Sequence, residues 1–329
     1  MAERKKPLPR VNLLNARPPY DEADNDYFYF VDADRQPAAG RHPFLPDARG
    51  FELANAWWLC EAATLAYSAP ATVERTFRER TPLRQFRAFD ADGGTQCFVA
   101  WNQDFAVVTF RGTEISPQEG PGGGRDFRDI FRDIGADADI RTSVFGEGAL
   151  VHRGFSEALD GVWDAGGLRD FIDGLDTARV WLTGHSLGAA LATLAAARSR
   201  RLDGVYTFGS PRVGDEGFAA AFAGRMAAMR VECFRVVNHE DLVTKVPVRA
   251  VPLSTVFKHV GSLKRIDRAG RIHDGEPPPA GLKESLLELL PFGADGKLDR
   301  RFFNFIPNAL DDHVPTLYST HIWNELVGG

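Results

Sequence analysis

The chain has 329 residues, 44% of them hydrophobic and 26% charged, the balance of an ordinary soluble globular protein. A net charge of −6 and a pI near 5.8 argue against a nucleic-acid partner, and no apolar run reaches the roughly 20 residues that a transmembrane helix needs. The N-terminus, MAERKKPLPRVNLLNARPPY, is basic but lacks the apolar stretch of a secretory signal, so the expected location is the cytoplasm, or outside the cell by an unrecognised export route.

Residues 1–50 are rich in Pro, Asp and Ala and carry the aromatic run Tyr27-Phe28-Tyr29-Phe30; they read as an irregular arm packed on the body by its aromatics. Residues 51–329 read as a single domain. From Phe51 to Tyr67, the residues Leu53, Ala56, Trp57, Cys60, Ala63, Thr64 and Tyr67 recur at helical spacing, and Pro70 is expected to end the pattern. Gln96 to Trp101 and Phe105 to Phe110 read as two strands joined through Asn102-Gln103-Asp104. The Gly-rich loop Glu119 to Gly124 lacks a following Gly-Lys-Ser/Thr, so it is not a phosphate loop. Phe127, Ile130, Phe131 and Ile134 then mark about two turns of amphipathic helix. A helix is expected from Gly154 to Trp163, a strand over Val205 to Phe208, a helix from Glu216 to Met229, and strands over Val231 to Val237 and Thr255 to Ile266. Strands alternating with helices predict a largely parallel sheet covered on both faces. Cys60, Cys97 and Cys233 are far apart among apolar neighbours and read as buried free thiols, not as a disulfide framework or a metal site.

The chemistry concentrates at Gly184-His185-Ser186-Leu187-Gly188, a G-x-S-x-G pentapeptide between the apolar run Arg179 to Thr183 and the small-residue helix Leu187 to Ala197. A serine on a sharp strand-to-helix turn projects its hydroxyl from the sheet edge, within reach of a base. The helix after it opens with backbone N–H groups that stabilise developing negative charge.

Such a serine needs an imidazole to take its proton and a carboxylate to orient the imidazole, in the chain order Ser, acid, His. The loop Asn238-His239-Glu240-Asp241 follows a predicted strand and supplies Asp241 as the acid, with Glu240 as the alternative. Of the eight histidines, chain order leaves His259, His273, His313 and His321. His259 lies in a strand-like run that suits a structural histidine, and His273 in a polar turn. A loop position favours His313 over His321 without deciding between them.

With these residues in hand, the chain from about Phe51 onward resembles the fungal-type (class 3) triacylglycerol lipase family. The resemblance rests on VTFRGTE at Val108 to Glu114, VHRGF at Val151 to Phe155, LTGHSLGAALA at Leu182 to Ala192 and TFGSPRVGD at Thr207 to Asp215. It continues in FRVVNHEDLVTKVP at Phe234 to Pro247, FKHVG at Phe257 to Gly261 and HVPTLY at His313 to Tyr318. It implies an α/β-hydrolase fold with a lid over the active site, and puts nucleophile, acid and base on Ser186, Asp241 and His313. It also implies an oxyanion hole formed by Thr113, through backbone N–H and hydroxyl, and by the N–H of Leu187. No metal or organic cofactor is required. The implied partner is an ester lipid, met in transient contact with a lipid surface. An acylglycerol is favoured, while phospholipid and feruloyl esters suit the same triad. A non-catalytic binding protein on a hydrolase fold is the reading from another class, and the intact triad argues against it.

Two segments depart from the family pattern. Ser116 to Arg125 is a longer Ser/Pro/Gly-rich insertion within the lid region, 114–140, and residues 274–310 form an insertion before the base that carries LKESLLELLPF and RRFFNFIP. In the lid region, the helix Phe127 to Ile134 either covers the serine with its Phe/Ile face or packs as an ordinary surface helix.

Overall fold

The computed structural model describes residues 29–32, 36–92, 94–112, 142–146, 148–239, 241–247, 256–275 and 311–328. In chain order the strands are β1 (Gln85–Asp90), β2 (Gln96–Trp101), β3 (Phe105–Phe110), β4 (Thr142–Phe145), β5 (Ala149–His152), β6 (Arg179–His185), β7 (Gly204–Phe208), β8 (Glu232–Asn238), β9 (Ser262–Ile266) and β10 (Ile272–Asp274). β4 and β5 make a hairpin of their own. The others form one sheet in the order β1-β2-β3-β6-β7-β8-β9-β10, antiparallel at its two ends and parallel from β3 to β9. Strands buried on both faces read as continuous apolar runs, and β3 (FAVVTF) and β7 (GVYTF) are buried at every position.

The helices are α1 (Leu53–Leu65), α2 (Pro70–Arg80), α3 (Arg153–Asp160), α4 (Leu168–Asp173), α5 (Leu187–Arg198), α6 (Glu216–Met229) and α7 (Pro315–Gly328). They divide the core in two. Val180 and Leu182 of β6 point into the layer with α3, α5 and α6, while Trp181 points into the layer with α1 and α7, as the period-2 alternation of a strand requires. In α1, eleven of 13 residues are buried, because the helix lies between the sheet and α7 and has little polar face to show. Trp57 of α1 meets Trp323 of α7 with ring centroids 5.0 Å apart. Cys60, Cys97 and Cys233 are buried free thiols.

Several predicted elements fall elsewhere. Pro70 does not simply end a helix: α1 stops at Leu65 and Pro70 opens α2 at a position where its missing N–H costs nothing. The Gly154 to Trp163 pattern splits into α3 and a π-helical turn, Gly161–Ala165. Of the predicted strand Thr255 to Ile266, only Ser262–Ile266 is extended in the sheet. The strand β1 and the hairpin β4–β5 were not anticipated; both are short and at least partly exposed, so their apolar alternation is weak. Residues 1–28, the lid region with the helix Phe127 to Ile134, and residues 276–310 lie outside the described residues.

A buried carboxylate ties the first described residues to the body. Glu61 of α1 accepts the Phe30 N–H at 2.8 Å through Oε2 and the Ser319 hydroxyl of α7 through Oε1. Phe30 also packs on Trp58, with centroids 5.0 Å apart. Burial pushes the Glu61 carboxyl up from 4.5 to about 7, against the lowering effect of these hydrogen bonds and of Arg80. A folded-state value above the unfolded one means that the folded protein binds the proton more tightly. The stability from this group is therefore complete below about pH 4.5 and is lost as pH rises through about 7, a difference of order 3 kcal/mol. Glu61→Gln removes the titration and keeps an acceptor for Phe30, while the Ser319 hydroxyl can turn to accept from the amide. Urea unfolding at pH 5 and pH 8 is expected to show the wild type losing more stability than the variant between the two.

Candidate active site

Ser186 stands between β6 and α5 at φ 58°, ψ −126°, in a region of backbone space that L-residues rarely occupy. The turn is tight enough to need both glycines of the pentapeptide. A Cβ on Gly184 would lie 2.3 Å from the Gly188 carbonyl, and one on Gly188 would lie 2.2 Å from the Phe110 oxygen at the end of β3. The Ser186 N–H donates to the Phe208 carbonyl of β7 at 3.0 Å, and the Ser186 carbonyl accepts from Ala189 and Ala190 as α5 begins. Leu187 opens α5, and N–H groups in a first helical turn have no intrahelical acceptor. The close contact of Gly188 with β3 brings this helix start against the strand that runs on to Thr113. Thr113 itself lies outside the described residues.

Asp241 follows β8 and begins the 3₁₀ turn Leu242–Lys245, where its Oδ1 accepts the Val243 N–H at 2.9 Å. Its Oδ2 lies 2.8 Å from His313 Nδ1 and accepts the Tyr318 hydroxyl at 2.5 Å. Asp241 and His313 are both buried, at 0% and 1% exposure, so this pair forms in a medium of low dielectric where charge-assisted bonds are strong. Burial pushes the Tyr318 phenol well up, with the Asp241 charge adding to it, and the group stays a proton donor. With Nδ1 engaged by the carboxylate, Nε2 is the ring nitrogen left to face other groups. The two loops are also tied through the backbone: Asn238 Nδ2 donates to the Asp312 carbonyl at 2.9 Å, and His239 Nδ1 lies 3.5 Å from Asp312 Oδ2.

Ser186 and His313 approach through an intermediate residue. His185, directly before the serine, packs on the His313 ring in a tilted arrangement with centroids 4.4 Å apart, and its Nε2 lies 2.6 Å from the His313 carbonyl oxygen. The structure thus pairs Asp241 with His313 and sets His313 against His185, the residue before Ser186. The other candidate bases have different partners: His259 Nε2 lies 2.7 Å from the Thr244 carbonyl oxygen, and His273 Nε2 lies 2.8 Å from Asp267 Oδ2. His321 is on α7 beside Gly270. Glu240, the alternative acid, lies outside the described residues.

Sequence reasoning missed Tyr318, Gly209 and Tyr67. Tyr318 stood at the end of HVPTLY and offered no sign that its hydroxyl would turn to the acid. Gly209, in TFGSPRVGD, has φ 58°, and a Cβ there would lie 2.9 Å from Asp241 Oδ2, His313 Nδ1 and His313 Cε1. Its signal was a glycine directly after a strand.

A strained serine between a parallel strand and a helix is the strand–turn–helix arrangement of the α/β-hydrolase fold. Residues 107–251 match the family Lipase (class 3); that span includes Ser186 and Asp241 and ends before His313. The chain is 39% identical over 120 residues to Secreted mono- and diacylglycerol lipase 1 of Fusarium solani, covering 34% of this chain and 33% of the relative. It is 36% identical over 154 residues to Secreted mono- and diacylglycerol lipase MDL3 of Malassezia globosa, covering 44% of this chain and 47% of the relative. The matches thus span a third to a half of those relatives. Among solved structures, lipase II from Rhizopus niveus superposes with a TM-score of 0.51 at 23% identity, over 74% of this chain and 90% of that one, a likeness of fold.

The contact at Gly209 gives a direct test of how tightly the pair is held. Gly209→Ala is expected to cost about 1–3 kcal/mol, since both overpacking and the positive φ oppose the methyl group. Chemical denaturation measures the loss, and a stability equal to wild type would show that the pair has room to move.

Proposed function

We propose that the chain is a serine carboxylic-ester hydrolase that cleaves acylglycerol esters. Ser186 attacks the ester carbonyl while His313 takes its proton, and Asp241 orients and stabilises the imidazolium. The N–H of Leu187, with the N–H and hydroxyl of Thr113 implied by the family motif, stabilises the oxyanion. His313 then protonates the departing alcohol, and a water molecule repeats the sequence on the acyl-enzyme to release the fatty acid.

One observation carries this reading: the strained Ser186 directly follows His185, which packs on an imidazole whose Nδ1 is held 2.8 Å from a fully buried carboxylate. Strain of this kind costs about 1–3 kcal/mol and is tolerated where a site needs it. The acylglycerol assignment rests on the two relatives, both described as mono- and diacylglycerol lipases. An ester lipid also brings the protein into transient contact with a lipid surface.

A fluorophosphonate probe is expected to label the wild type at Ser186 and to leave Ser186→Ala unlabelled and inactive with its fold intact. Asp241→Asn is expected to lose about 10⁴-fold in kcat, because the wrong tautomer then faces the serine. Fatty-acid release from monoacyl-, diacyl- and triacylglycerol, measured beside phosphatidylcholine, reads the substrate class. Turnover retained in Ser186→Ala would overturn the mechanism, and faster release from phosphatidylcholine would replace acylglycerol by phospholipid.

A further inference from the structure

His185 and Tyr67 form a polar pair inside the site that the triad chemistry does not use. His185 is 1% exposed and Tyr67 is 3% exposed. The Tyr67 hydroxyl lies 2.9 Å from His185 Nδ1, and His185 Nε2 lies 2.6 Å from the His313 carbonyl oxygen. A carbonyl oxygen only accepts, so Nε2 must carry the proton. Nδ1 of the neutral ring is then an acceptor, and the Tyr67 hydroxyl donates to it. The pair therefore has one internally consistent direction, from Tyr67 through His185 to the backbone of His313.

The charge state follows from the surroundings. Burial holds the His185 imidazole well below its usual range, and the neighbouring His313 adds to the effect, so the ring stays neutral. The groups facing it are the Tyr67 hydroxyl, the His313 ring at 4.4 Å and the Tyr318 ring at 5.8 Å, with Asp241 behind His313.

Position decides what such a pair can do. His185 is covalently next to Ser186, and its side chain holds the main chain of His313. Tyr67, after α1, also abuts the end of β3: a Cβ on Gly112 would lie 2.0 Å from the Tyr67 hydroxyl oxygen and 2.8 Å from the His185 carbonyl oxygen. One pair of side chains thus touches the nucleophile elbow, the base loop and the strand that leads to the oxyanion segment.

We propose that Tyr67 and His185 are positioning residues that set the distance between Ser186 and His313. Tyr67 orients the His185 ring by donating to Nδ1, and His185 holds the loop of His313 by one hydrogen bond and one ring contact. This inference rests on the serine-hydrolase reading above. Its consequence is that the pair governs the chemical step and leaves substrate affinity alone.

His185→Leu removes the donor and keeps an apolar group of similar bulk. Its kcat on a p-nitrophenyl ester, and its rate of fluorophosphonate labelling, are expected to fall about 10²-fold with KM within about twofold, the size expected for misplacement of reacting groups by about 1 Å. His185→Gln restores an amide N–H toward the His313 carbonyl and is expected to recover at least about tenfold over the leucine variant, the worth of one buried hydrogen bond. Tyr67→Phe removes the donor that orients the His185 ring and is expected to lose about tenfold in kcat while keeping a thermal midpoint near wild type. If His185→Leu fails to fold, Tyr67→Phe and His185→Gln carry the test between them. Wild-type kcat in Tyr67→Phe, or losses that track the thermal midpoint equally in the leucine and glutamine variants, would overturn the positioning role. A wild type that no fluorophosphonate labels would instead overturn the hydrolase reading, and the pair's role with it.

Discussion

The backbone of Ser186 is the constraint on which the rest of the site depends. Its φ of 58° and ψ of −126° cost about 1–3 kcal/mol, and a conformation of that kind persists only where its surroundings leave no alternative. Those surroundings are buried and come from three strands and a helix. β6 is buried from Val180 to His185, with Thr183 Oγ1 donating to the Leu59 carbonyl of α1. β3 closes on the start of α5 so tightly that only glycine fits at 188, and the end of β7 accepts the Ser186 N–H itself. Relaxing the serine would break that bond and prise the helix start away from β3. The cost of separating those packed elements exceeds the strain, so the hydroxyl is held where the sheet ends.

This constraint was legible in the sequence because each of its components has a local signature. Glycines two residues either side of a serine, an apolar strand before it and an alanine-rich helix after it can be read within one window. The sheet was legible for the same reason: strands buried on both faces show as apolar runs, and β2, β3 and α6 fall where the pattern puts them. The pairing of Asp241 with His313 was reachable through chain order and motif, although the residues alone left Glu240 and His321 open. Groups whose role depends on tertiary contact could not be read. Tyr318 and Tyr67 are ordinary helix-associated tyrosines until their hydroxyls meet Asp241 and His185. β1 escaped notice because an edge strand with exposed alternate positions carries little apolar signal. Pro70 misled because proline both ends and begins helices, and only the chain on either side decides which.

Tertiary contacts also keep His313 in register with Asp241, 72 residues away in the chain. His313 sits at the end of a short 3₁₀ turn, and a position of that kind is fixed by the helix beyond it. α7 begins two residues later and is clamped through consecutive side chains, Tyr318 to Asp241 and Ser319 to Glu61. Successive residues on a helix point about 100° apart, so the two bonds restrain α7 against rotation as well as translation. The Trp57–Trp323 contact fixes its distance from α1. Upstream, the Asp312 carbonyl accepts from Asn238 at the end of β8, and the His313 carbonyl accepts from His185 at the end of β6. His313 is thus bracketed on both sides by hydrogen bonds to buried groups. Each of those bonds ends on a strand terminus or on a helix packed against the sheet. A buried carboxylate such as Glu61, which by burial alone opposes folding at neutral pH, is compatible with this fold because its bonds to Ser319 and Phe30 hold helix and arm to α1. Removing the charge would strengthen the fold above about pH 7 and leave the clamp at Tyr318 in place. The alignment of His313 therefore depends on Asp241 and His185 more directly than on the ionisation state of Glu61.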